Sequence, residues 1–162
     1  MKKILIIFFI FLFQINLSFA SEKLLKPNVN DDFLKILLNH HKVTDMWFQF
    51  GGHSDKNSNS YEVAKREVFE ESGISDFVEA SEKSFDADHH VIVDRPDKNE
   101  PSHYHYDINF LFVTDSDYFK LSNESSGAKW VTLEEAKQLI SPDDISMKRM
   151  LAKYELYLKN KK

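Results

Sequence analysis

The chain has 162 residues, of which 42% are hydrophobic, 29% charged and 14% aromatic. That is one domain's worth of sequence with enough apolar material for a packed core, which excludes a disordered chain. The net charge of −5 argues against a nucleic-acid coat protein or a polybasic membrane binder, and the absence of cysteine excludes disulfides, Cys-based zinc sites and thiol catalysis.

The first twenty residues differ from the rest. Lys2 and Lys3 precede an apolar run from Ile4 to Phe13, and small residues stand at Ser18 and Ala20. This reads as a signal peptide or hydrophobic leader over residues 1–20. Cleavage would start the mature chain at Ser21 and imply export, periplasmic or secreted; the alternatives are an uncleaved anchor or a buried strand, the latter in a cytoplasmic protein. The run is too short for a stable membrane span of about 20 residues. Residues 21–32 are polar, contain Pro27 and read as an irregular arm, so the folded domain is expected over 33–162.

Phe33 to His41 is a candidate strand, as is Met46 to Phe50, which Gly51-Gly52 is expected to break. Ser60 to Ser72 turns helical: Tyr61, Ala64 and Val68 share one stripe, and Gly73 sits where a C-cap belongs. Phe85 to Val93 and His103 to Thr114 read as strands, with Pro96 and Pro101 bracketing a loop. Trp130-Val131 is a short strand. Thr132 and Glu135 form a capping box that starts a helix, and Ser141-Pro142 breaks it. Ser146 to Asn160 is an amphipathic helix with Met147, Met150, Leu151, Tyr154 and Leu158 on one side. Irregular alternation of strands and helices suggests one α/β or α+β domain.

The chemistry concentrates in Arg66-Glu67-Val68-Phe69-Glu70-Glu71-Ser72-Gly73-Ile74. On a helix Glu67, Glu70 and Glu71 fall within about 100° of one another, so their carboxylates share a patch. Arg66 can offset part of their repulsion by pairing with Glu70 or Glu62. Clustered hard oxygen donors suit Mg²⁺ or Mn²⁺ together with phosphate oxygens. For the three glutamates alone, a solvated acidic face is the competing reading.

The stretch from Gly52 to Ile74 resembles the signature of the Nudix hydrolase family. Gly52, Arg66, Glu67, Val68, Glu70, Glu71, Gly73 and Ile74 fit that pattern at its spacing. Six fixed residue types so placed arise by chance in a chain this size about once in 10⁵. Ser58 stands where the family usually has Glu. The resemblance extends over Lys35 to His53, Pro101 to Phe112 and Trp130 to Ala136. It implies a Nudix-type α/β/α sandwich with a mixed β-sheet. It also implies a pyrophosphohydrolase acting on a phosphoanhydride bond in a small, nucleoside-diphosphate-linked substrate. A catalytically silent Nudix-like ligand-binding domain is the alternative, no nucleic-acid partner is expected, and a homodimer is left open.

By the same resemblance Glu67, Glu70 and Glu71 bind the metal, with Glu70 and Glu71 also catalytic. Arg66 orients a carboxylate, and the backbone at Gly52 approaches the metal. The signature's first glutamate supports the arginine, so Ser58 calls for a substitute, Glu62 or Asp55. A further acid from a distant loop, Glu124, is the candidate base. Family members carry an additional strand upstream, where this chain has the polar stretch Glu22 to Asp32. Either the leader supplies that strand or the sheet lacks it.

His53 follows the glycines and is expected at the site, His40-His41 flank a strand end, and His89 and His90 point to opposite faces. A zinc site is not expected, since no HExxH motif occurs. Along His103 to Val113, Tyr104, Tyr106, Ile108, Phe110 and Phe112 alternate onto one face, expected against a helix. His103, His105 and Asp107 fall on the other, where they are expected to line the substrate cleft.

Overall fold

The computed structural model describes residues 3–10, 34–55, 57–80, 83–94, 96, 99 and 101–160. Strands β1 (Lys3–Ile10), β2 (Ile36–His41), β3 (Met46–Phe48), β4 (Phe50–His53), β5 (Val78–Glu79), β6 (Asp86–Ile92), β7 (His103–Thr114) and β8 (Ser125–Val131) form one mixed sheet. The helices are α1 (Ser60–Ser72), α2 (Leu133–Leu139) and α3 (Ile145–Lys159). β1 lies inside the sheet, antiparallel to β7 and parallel to β2 and β4. β2 continues outward to β3 and β8, while β7 carries β5 and β6.

The layers follow from strand alternation. On β2, Ile36 and Leu38 enter one core with Leu111 and Val113 of β7 and Met147, Met150, Leu151 and Tyr154 of α3. Their neighbours Leu37, Phe110 and Phe112 enter a second core with Val63, Ala64 and Val68 of α1. Successive side chains thus serve opposite faces of the sheet, and α1 covers one face while α2 and α3 cover the other. This is the α/β/α sandwich expected from the sequence.

The helix ends obey local chemistry. The Asn59 side chain accepts from the Glu62 amide at 3.2 Å. Gly73, at φ 68°, closes α1 in the left-handed conformation. Thr132 and Glu135 make both bonds of the capping box on α2, and Asp144 caps α3 through the Met147 amide.

Several expectations change. Gly51-Gly52 does not end a strand: both residues belong to β4, paired opposite Phe8 and Phe9 of β1. Trp130-Val131 is the end of a longer strand, β8. Tyr104 and Tyr106 are 55% and 43% exposed rather than packed under a helix. On the β6–β7 ribbon His89 stacks on Tyr106 instead. Residues 3–10, inside the segment read as a leader, pair as β1. They occupy the position of the upstream strand that the polar stretch could not supply. The rest of the leader and the arm over 21–32 lie outside the described residues.

Candidate active site

The fold brings the N-terminal half of the signature, on β4, against its C-terminal half, on α1. Glu67 is 7% exposed, and its carboxylate lies over Gly52. A Cβ at position 52 would come within 2.3 Å of Glu67 Oε2. Glycine is therefore required here for close approach of a carboxylate rather than for a special backbone angle. The Gly51 amide donates to Glu71 Oε2 at 2.8 Å. Two adjacent backbone positions of β4 thus locate two glutamates one helical turn apart.

Arg66 ties the patch together. Its Nη2 donates to Glu67 Oε1 at 2.7 Å, to Asp55 Oδ2 at 3.1 Å and to the His53 carbonyl at 3.0 Å. Glu70, on the exposed side of α1, stands 3.9 Å from Arg66 Nε. Of the two acids weighed as substitutes for Ser58, which is exposed, Asp55 is the one bonded to Arg66. Glu62 pairs with Lys65 instead.

Burial raises the carboxyl of Glu67, partly opposed by the charge of Arg66. Glu71 is pushed up to about 7, first by burial and then by the charges of Glu67, Glu124 and Glu70, against the bond from Gly51. Crowded, desolvated carboxyls of this kind gain from any cation brought between them.

Beside this patch opens a cavity of about 850 Å³. Gly52, His53, Glu71 and Glu124 line it, as do His105 and Asp107. Glu67 and Glu70 lie outside its lining, on α1. His103 stands behind His105, to which it is bonded Nε2 to Nε2 at 2.7 Å. Reasoning from sequence passed over His90, whose Nδ1 is 3.4 Å from Asp107 Oδ2 and which also lines the cavity. The signal that finds it is strand pairing: His90 is in register with His105. His41, assigned only to a strand end, lines the cavity too.

Among the described residues no three His, Asp or Glu side chains already converge as a metal site. The donor set nonetheless fits a hard divalent cation: Glu67, Glu70 and Glu71 are oxygen donors on one helix turn, and Gly52 leaves the space that the Glu67 carboxylate takes. Glu71 and Glu124 reach the same cavity from α1 and from the loop before β8.

Comparison with known proteins agrees with this geometry. The NUDIX domain family matches residues 29–154. No curated protein matches the chain. A C. elegans Ap4A hydrolase in a binary complex has a similar fold, at 22% identity and a TM-score of 0.58, covering 78% of this chain and 87% of its own. A protein assigned as a NUDIX hydrolase from Listeria monocytogenes is 28% identical, with a TM-score of 0.54 over 98% of this chain and 94% of its own. A NUDIX-family hydrolase from Clostridium perfringens is 18% identical, with a TM-score of 0.51 over 96% and 97%. With the family match spanning most of its length and the signature folded around β4 and α1, the chain belongs to the Nudix hydrolase family.

Proposed function

We propose that this Nudix pyrophosphohydrolase cleaves a phosphoanhydride bond in a small nucleoside-diphosphate-linked substrate, with Mg²⁺ or Mn²⁺ held by Glu67, Glu70 and Glu71. The observation that carries the reading is the convergence of Glu67 and Glu71 on the two glycines of β4, at the edge of a cavity that Glu124 also lines. When bound, the cation supplies neutralisation of phosphate charge and acidification of the attacking water. The protein's own groups do the rest. Arg66 fixes Glu67, and the Gly51 amide fixes Glu71. Glu71 or Glu124 accepts the proton of the attacking water as its oxygen bonds to phosphorus and the anhydride bond breaks. His53 and His105 contact the substrate along the cavity, which Asp107 also lines. Asp55, bonded to Arg66, answers the departure at Ser58 that favours a silent domain.

The test is a panel of nucleotide sugars, nucleoside triphosphates and Ap4A, assayed with each ion; Ap4A is included because the C. elegans neighbours carry that name. Glu70→Gln and Glu71→Gln should each lower kcat at least about tenfold while the folded state survives. Turnover at the wild-type rate in both variants would remove these glutamates from the site.

A further inference from the structure

The cavity carries two groups of titratable side chains. One is the carboxylate set of Glu71 and Glu124. The other lies on β6 and β7, where Asp107 is 4% exposed with its Oδ2 toward His90 Nδ1. Oδ1 of Asp107 has no hydrogen-bond partner among the described residues. A buried acid with an unanswered oxygen is costly and calls for a reason. Burial pushes the Asp107 carboxyl up to about 6, against the pull of His90. The imidazole faces the other oxygen, Oδ2. A carboxylate only accepts, so Nδ1 facing Asp107 carries the proton. That leaves Nε2 as the ring nitrogen turned away from Asp107, on a half-exposed side chain that lines the cavity.

We propose that His90, held by Asp107, is a substrate-binding residue that donates through Nε2 to a phosphate oxygen of the substrate. Asp107 is then a positioning residue. The inference rests on reading the cavity as the substrate site. The other groups around His90 are accounted for by element. On β6, Asp88 faces Arg149 of α3 at 3.2 Å. On β7, the His105 ring centroid lies 5.6 Å from that of His90. The α2–α3 loop contributes Asp143 and Asp144, of which Asp144 caps α3.

Calorimetric titration of the full chain with ADP-glucose, without metal and at a single pH, reads the contact apart from the cation. His90→Ala should weaken binding about tenfold, and His90→Gln, which keeps an N–H donor, should restore part of the loss. Asp107→Asn should weaken binding in the wild-type background but not in His90→Ala, while thermal unfolding stays cooperative. A His90→Ala variant that binds as tightly as wild type, or an Asp107→Asn loss that persists without His90, would overturn the proposal. Failure of the substrate panel with this binding intact would instead sink the hydrolase reading and leave the phosphate contact standing.

Discussion

Gly52 shows how much the site depends on a missing atom. Any Cβ there collides with the Glu67 carboxylate, so Gly52→Ala should push Glu67 off its bond to Arg66. The expected result is at least about a tenfold loss of activity and weaker Mn²⁺ binding by titration, with unfolding lowered by no more than about 1–3 kcal/mol. An unchanged Mn²⁺ affinity would mean that Glu67 is free to settle elsewhere. The three glutamates were legible because one helix turn displays them whatever the rest of the fold does. Their supports were less so. Asp55 could be named only beside Glu62, because a loop residue's reach depends on the turn around positive-φ Asp55 itself. The Gly51 amide and His90 were hidden altogether, since one is backbone and the other matters only once β6 lies against β7.

At the scale of elements, β6 and α3 are joined by a buried charge network. Asp86, 2% exposed, accepts from Arg149 at 2.7 and 3.0 Å and from Lys153. Burial by itself would raise its carboxyl, but these bonds outweigh that and hold it below the ordinary aspartate value. A depressed native pKa stabilises the fold above the unfolded value, about 3.9, and that contribution disappears as pH falls through the native one. Asp86→Asn should therefore cost about 1–3 kcal/mol at neutral pH. In thermal melts across an acid series the gap to wild type should close below about pH 4; a gap constant down to pH 2 or so would assign the loss to packing rather than charge.

β1 poses the sharper test. It pairs with Val113, Phe112, Leu111 and Phe110 of β7 on one side and with Phe50 to His53 of β4 on the other. A chain starting at Ser21 should lose cooperative unfolding, because buried ladder groups on both neighbours would go unanswered. A cooperative melt near the full-length Tm would show that the sheet closes without β1 and would favour the export expectation. The ambiguity was built into the sequence. A strand buried within a sheet and the core of a leader are both short unbroken apolar runs. α1, by contrast, declared itself through Asn59, its apolar stripe and Gly73. β5, two residues long, has too few positions to show any period.

For the molecule as a whole, the sandwich explains why the site sits where it does. The sheet divides its apolar residues between two cores, and the polar ends of β6 and β7 extend beyond both of them. There the alternation that served the cores carries His90, His105 and Asp107 into the cavity. No helix among the described residues is long and apolar enough to cross a membrane.

The central place of β1 also sets a timetable. Its register partners on β7 lie about a hundred residues further along the chain, which makes its contacts among the least local in the fold. At synthesis rates of about 5–20 residues per second, the strand emerges about 5–20 seconds before β7 can receive it. Through that interval an apolar segment waits unpaired, open to chaperones and to any machinery that captures exposed hydrophobic segments. Slowing translation between β1 and β7 would lengthen the competition, and speeding it would favour the sheet.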